Sequence, residues 1–443
     1  MELWAKTSRV NEKVKSFTVG NDRHFDMQLA KWDVLGSIAH AKMLCKVKLI
    51  SEQEETAIHS VLLSILDEIA AGEFHITEEC EDVHSQIEFM LTARLGEAGK
   101  KIHTARSRND QSLLDIKLFC RDEIKKLTNK TEQLFHSFMN ASEKHKHDLL
   151  PGFTHLQLAM PSSFGLWFAA YAESLVDDLE LLHASFVIAN KNPLGSAAGY
   201  GSSFPIDREL TTSLLGFDSL NTNSIYSQMT RGKTEKAISF ALSSIAATLS
   251  KFAMDCTLFM NRESGYISFP QELTTGSSIM PHKQNPDVLE LIRGKCNHLQ
   301  SLPNEFALLL NNLPSGYHRE FQLTKEILFP AFGTLHDCME MCMLMLNEIQ
   351  VKKDLLDQKK YDLLFTVEKV NQLVIDGKSF RDAYHSVSDE VKKGGFIRPS
   401  PSKTSHIGSI DDPGNERILT GLTAILSRFP FGKIDSALTA LCQ

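Results

Sequence analysis

Apolar residues recur at three- and four-residue steps through 100–150, a stretch with neither glycine nor proline. Leu113, Ile116, Leu118, Ile124, Leu127, Leu134 and Phe138 fall on one side of a 3.6-residue period, which predicts one very long helix. The segment Lys233–Ser264 repeats the pattern with Ile238, Leu242, Ile245, Leu249 and Phe252. Further helices are expected through Pro161–Asn190, Pro286–Asn311 and Tyr317–Gln350. Proline is absent before Pro151, between Pro205 and Pro270, and between Pro330 and Pro399, so breakers cluster in the connecting loops. Alternating β-branched runs are scarce, and strands should be few.

This pattern predicts an all-α protein: a central bundle of long helices with small helical domains at either end. The expected division is 1–105, 106–352 and 353–443, with 394–415 an exposed linker rich in Gly, Pro, Ser and Asp. Its 443 residues fit roughly three domains at about 150 residues each. Composition is ordinary for a globular chain, at 42% hydrophobic and 23% charged. The net charge of −8 makes nucleic acid and anionic membrane poor partners. It leaves small anionic ligands open, because these respond to a few local cations. No uninterrupted apolar run approaches the ~20 residues of a membrane span, and Met1–Lys6 has no apolar signal core. The eight cysteines lack zinc-site spacing, and a reduced, cytoplasmic chain is expected. Cys338 and Cys342, inside the Met339–Leu346 run, read as soft core packing.

Four loop segments carry candidate chemistry. Thr274–Pro286 combines Gly276, Ser277, Lys283 and Asn285. Asn285 and Pro286 form an N-cap and N1 pair, so a helix should start there, with its positive dipole end and Lys283 favouring an anion. By composition alone the same loop also reads as a mobile surface turn. Leu150–Gln157 puts Thr154 and His155 at one end of the bundle. Ser107 with Asp110 is a capping signature ahead of the longest helix, beside Arg106, Arg108 and Asn109. Leu313–Glu326 breaks and restarts a helix and offers Tyr317, Gln322 and Lys325 to a cleft or to solvent.

The string Gly276-Ser277-Ser278-Ile279-Met280-Pro281-x-Lys283-x-Asn285-Pro286 resembles the signature of the fumarase/aspartase superfamily. Ser107-Arg108-Asn109-Asp110, Thr154-His155-Leu156-Gln157 and the Tyr317–Glu326 segment are similar to its argininosuccinate lyase branch. So are Asp33-x-x-Gly36-Ser37-x-Ala39-His40 and Gly377–Ala383. The resemblance implies an all-α fold, a twenty-helix core in a homotetramer, and active sites assembled from three chains. It implies reversible elimination of argininosuccinate to arginine and fumarate, without metal or organic cofactor. The carried-over catalytic residues are Ser277, His155, Lys283 and Glu290, with Ser277 as base on carbon and Glu290 as partner of the histidine. The division of base and acid between Ser277 and His155 stays open. Implied substrate contacts are Asp26, His84, Ser107, Arg108, Asn109, Thr154, Asn285, Tyr317, Gln322 and Lys325.

The chain departs from the family at Trp4–Thr7, Leu158, Met160, Gly232, His282 and Gln284. These positions leave the implied chemistry in place and bear on affinity and substrate choice. Two alternatives accompany it: a catalytically silent structural protein on the same scaffold, as among lens crystallins, and a related lyase acting on adenylosuccinate or aspartate.

Overall fold

A computed structural model describes residues 11–400 and 403–443. Met1–Lys6 and the departure at Trp4–Thr7 lie outside the described residues. The expected helices are present with sharper ends, except that the one over 286–311 is divided. The longest runs Arg108–Lys144 and starts where the Ser107 signature places it. Ser107 Oγ accepts the Asn109 N–H at 3.3 Å, and Asp110 Oδ1 accepts the Ser107 N–H at 2.9 Å. Asp110 Oδ2 also takes the N–H groups of Gly195 and Ala197, both at 2.9 Å, tying a neighbouring loop to the helix start.

Phe164–Ala189, Lys233–Phe259 and Leu323–Asn347 complete the long elements: the first and last pack on the 108–144 helix, and 233–259 packs on both of them. Phe135, Phe138, Phe164, Phe168, Phe186, Phe252 and Phe332 fill the space between them. Removing each such ring from water contributes roughly 1.5–3 kcal/mol. The expected helix over 286–311 is instead two, Asp287–Leu299 and Leu302–Leu309, broken just before Pro303, which sits in the first turn of the second.

Strands are few: six short ones in three two-stranded sheets among the described residues. One sheet changes the reading of the His155 segment. Leu149–Thr154 pairs antiparallel with Gln157–Ser163, so the expected loop is a β-hairpin with a two-residue tip of His155 and Leu156. Both tip residues have positive φ, 54° and 58°. Tight hairpins ask for that conformation, and glycine or asparagine supplies it with least strain.

The helices Asn415–Leu426 and Phe431–Leu441 return to the main core, whereas Val370, Ala383 and Val387 form a small separate cluster. The stretch Ser224–Phe259 is long and apolar enough to cross a membrane by length and composition. Its Ile238, Leu242, Ile245, Leu249 and Phe252 are core residues facing the neighbouring helices.

Candidate functional site

Seven of the ten expected substrate contacts meet around one cavity of about 260 Å³: Asp26, His84, Arg108, Asn109, Tyr317, Gln322 and Lys325. Four segments far apart in sequence supply them. Asp26 closes the short helix Asp22–Asp26, and His84 stands in the first turn of Val83–Leu95. Arg108 and Asn109 open the longest helix, and Tyr317, Gln322 and Lys325 flank the start of 323–347.

The cavity is a network of opposed charges. Lys325 Nζ is buried and contacts the carboxylates of Asp22 and Asp26. Burial pulls its ammonium pKa down, but the two carboxylates more than offset that and raise it above the ordinary lysine value. Asp22 is pushed up to about 6, first by burial and then by Asp26. Arg108 Nη1 donates to Asp82 Oδ2 at 3.0 Å and its Nη2 to Ser85 Oγ at 2.6 Å. Gln322 Nε2 donates to the carbonyls of Val19 and Thr18, at 2.9 and 3.2 Å, fastening the amino-terminal segment over the cavity.

Asp22, Glu81, Asp82, Ser112, Arg231 and Arg319 also line it and were missed in the sequence. Some of them left signals there. Asp22 and Asp26 stand one helical turn apart, and Asp82 precedes Ser85 at capping distance, where it accepts the Ser85 N–H at 2.8 Å. Arg231 is a buried bracket: it donates to Ser112 Oγ and the Phe321 carbonyl at 3.0 Å each, and its Nε lies 3.1 Å from Glu235. Gly232 beside it has φ 78°, and a Cβ there would lie 2.6 Å from Leu310 Cδ2. That departure from the family therefore has a local steric reason.

The other expected residues lie elsewhere. Ser107 is spent on its helix cap and does not line the cavity. Thr154 and His155 are exposed at the hairpin tip, beside exposed Leu156, Leu158 and Met160. Ser277 sits on a loop closed at its neck by the Asn285 N–H to Thr275 carbonyl bond of 2.8 Å. Its Oγ accepts the backbone N–H groups of Met280 and Ile279 at 3.2 and 3.4 Å. The expected Asn285 cap is not formed: the helix begins at Asp287, and the Asn285 amide donates back to the Gly276 carbonyl at 3.3 Å. Closing the loop uses the residue that the cap would have needed. Lys283, with the departures His282 and Gln284, lines a separate cavity of about 600 Å³. Exposed Glu290 and His155 share no hydrogen bond or ion pair within the chain. One chain thus carries a preformed charged cavity and, apart from it, an exposed serine loop and an exposed histidine hairpin.

Comparison with known proteins gives this arrangement a family. A family profile described as lyase matches residues 6–300. An argininosuccinate lyase of Bacteroides thetaiotaomicron is 51% identical over 440 residues, covering 99% of each chain. The chain belongs to the argininosuccinate lyase family. Another member, from Parabacteroides distasonis, is 52% identical over 436 residues, covering 98% of each chain. A solved EDDS lyase in complex with formate has TM-score 0.76 at 20% identity, covering 96% of this chain and 93% of that one, and shares the fold.

Proposed function

We propose that the protein is an argininosuccinate lyase, a carbon–nitrogen lyase that reversibly eliminates argininosuccinate to arginine and fumarate in arginine biosynthesis. The observation that carries this reading is the near-full-length identity, about one residue in two, with curated argininosuccinate lyases. The charge pattern of the cavity supports it. Asp22, Asp26, Glu81 and Asp82 face Arg108, Arg231, Arg319 and Lys325. Such a wall suits a ligand that carries carboxylates together with an ammonium and a guanidinium group.

In this reading the proton leaves the carbon beside a carboxylate, and donors must meet the doubly charged aci-carboxylate that forms. Each such preorganised donor is worth about 10²–10³ in rate. Lys283, Asn285 and backbone N–H groups of the serine loop take that task, with Ser277 as base on carbon. His155 protonates the departing guanidinium nitrogen, directly or through water, and Glu290 of a neighbouring chain orients it.

The site is completed in a homotetramer. Leu181, Val187, Phe240, Met254 and Leu258 on the long helices, with Leu291 and Leu308 on the two short ones after the serine loop, expose apolar surface in the manner of unfilled interfaces. A groove of about 630 Å³ between 298–309 and 323–334 suits a neighbouring helix. The proposed division is a central oligomerising bundle over 106–352 with helical domains on either side. Eight free thiols fit a cytoplasmic setting.

Purified protein given argininosuccinate should release fumarate, read by ultraviolet absorbance, and should release none from adenylosuccinate or aspartate. A folded oligomer that yields no fumarate from argininosuccinate would overturn the reading in favour of a silent scaffold. Fumarate from another of the three would reassign the substrate.

A further inference from the structure

One wall of the cavity, at His84, is backed by a buried group that the reaction above does not use. Asp33, on the helix Ala30–Lys46, and Asp115, on the 108–144 helix, have fully buried side chains. His84 Nδ1 makes a short hydrogen bond to Asp33 Oδ2 and lies 3.5 Å from Asp115 Oδ2. Gln111 Nε2 donates to the same Asp33 oxygen at 2.7 Å. Ser37 Oγ donates to Asp33 Oδ1 at 3.5 Å and accepts from Arg106 Nη1 at 2.8 Å. Neither oxygen of Asp115 receives a hydrogen bond. The helices approach this closely at Gly36, where a Cβ would lie 2.7 Å from Leu114 Cδ2 and 3.7 Å from Asp115 Oδ1.

A buried carboxylate that receives no donor does not keep its charge beside a second carboxylate. We propose that Asp33 and Asp115 are positioning residues that hold His84 as an imidazolium with its Nε2 edge toward the substrate cavity. Asp33 is the counter-charge, and Asp115 is a neutral carboxylic acid donating its proton to Asp33. The charges around the imidazole agree. Asp33 faces it from the 30–46 helix, Asp115 from the 108–144 helix, Asp82 from the turn before its own helix, and Asp26 from the 22–26 helix. Arg106 and Arg108 stand nearby, Arg108 paired with Asp82, and Lys325 is paired with Asp26. His103 and His40 flank the same region, and burial lowers the pKa of both, to about 4 and about 3. Burial alone would lower the His84 pKa, yet Asp33, Asp82 and Asp26 raise it above the ordinary histidine value. Burial raises Asp115 well above the carboxylate range, and Asp33 adds to that.

These residue types also suit a metal ion, with ligand atoms within 4.8 Å of one another. Two features argue for protons instead: Nδ1 and Oδ2 already touch, and the Gln111 amide points its N–H at the oxygen a cation would need. The charged Nε2–H gives a substrate carboxylate a donor that is fixed by burial and carries a full charge.

The inference rests on the lyase reading only for its kinetic arm, so the first measurement is made without substrate. Histidine C2 hydrogen–deuterium exchange, read by mass spectrometry on the intact oligomer, reports the His84 pKa. Wild type and Asp115→Asn should both titrate above the ordinary value of about 6.5, and Asp33→Asn well below the wild type. With argininosuccinate, Asp115→Asn should keep kcat and KM within about threefold, because asparagine copies the shape of a neutral acid. Asp33→Asn should raise KM about tenfold and shift its alkaline limb to lower pH, since the donor's charge is lost as pH rises through the His84 pKa. In His84→Gln that limb should vanish.

A His84 pKa at or below the ordinary value in wild type would overturn the proposal. So would Asp115→Asn matching the loss in Asp33→Asn, or a limb that persists in His84→Gln. Activity lost on chelation and restored by a divalent metal would replace it with a metal site. Should Asp33→Asn fail to assemble, the wild-type titration, Asp115→Asn and His84→Gln still decide.

Discussion

Replacing Ser277 by alanine is expected to lower kcat by about 10³-fold while leaving the fold and oligomer unchanged. The local geometry separates those two outcomes. Among the described residues, Ser277 Oγ accepts hydrogen bonds only from the backbone N–H groups of Met280 and Ile279, inside its own loop. Removing it therefore breaks no contact between elements. In the proposed reaction the same two N–H groups would help the serine oxygen act as a base. Donors aimed at an oxygen stabilise its charged form more than its neutral form, and they lower the cost of losing the proton. Steady-state turnover of argininosuccinate, measured beside size-exclusion chromatography, tests this. Activity within tenfold of wild type would remove Ser277 from the chemistry.

Replacing Lys325 by methionine should be as damaging, but through stability as well as binding. Asp22 and Asp26 stand one helical turn apart and share this one buried ammonium. Taking away one partner of a buried ion pair typically costs about 3–5 kcal/mol, because the remaining charge stays buried. The deficit should depend on pH in a definite direction. The Asp22 carboxyl is already raised to about 6, above its unfolded value, and it rises further without Lys325. Its stabilising contribution is present at low pH and is lost as pH rises through the folded pKa. The variant should therefore melt further below wild type at pH 8 than at pH 5. An equal deficit at both pH values would show that the two acids are not its source.

Much of the fold was legible because helical periodicity needs only local information. The absence of Gly and Pro between Lys100 and Leu150, with Ser107 and Asp110 as a cap, located the longest helix to its first residue. The Leu150–Gln157 segment misled, since its hairpin depends on pairing with 157–163 and on two non-glycine residues accepting positive φ. Asn285 misled for a related reason: a good local cap was taken by a contact across the loop. Within the cavity, Asp26, His84, Arg108, Asn109, Tyr317, Gln322 and Lys325, all named through the resemblance, line one space. Asp22, Arg231 and Arg319 were not singled out, because the contacts that bring them to the cavity, Asp22 with Lys325, Arg231 with Ser112 and Phe321, and Arg319 with Glu81, join positions about 90 to 300 residues apart. The Asp33–His84–Asp115 group was invisible for the same reason, although Asp33 and Gly36 belonged to a motif already singled out.

The central claim is that each catalytic site is completed by loops from different chains around the charged cavity of one. Hybrid oligomers test it most directly. Ser277→Ala disables the serine loop, and Asn109→Leu disables the cavity at a residue whose side chain holds no structural hydrogen bond among the described residues. Each variant alone should be inactive with argininosuccinate. After subunit exchange at equal amounts, random mixing should restore about one quarter of wild-type activity, since that share of sites draws both intact residues from different chains. No recovery after exchange has been verified by mass spectrometry would contradict the claim and place both residues of a site in the same chain.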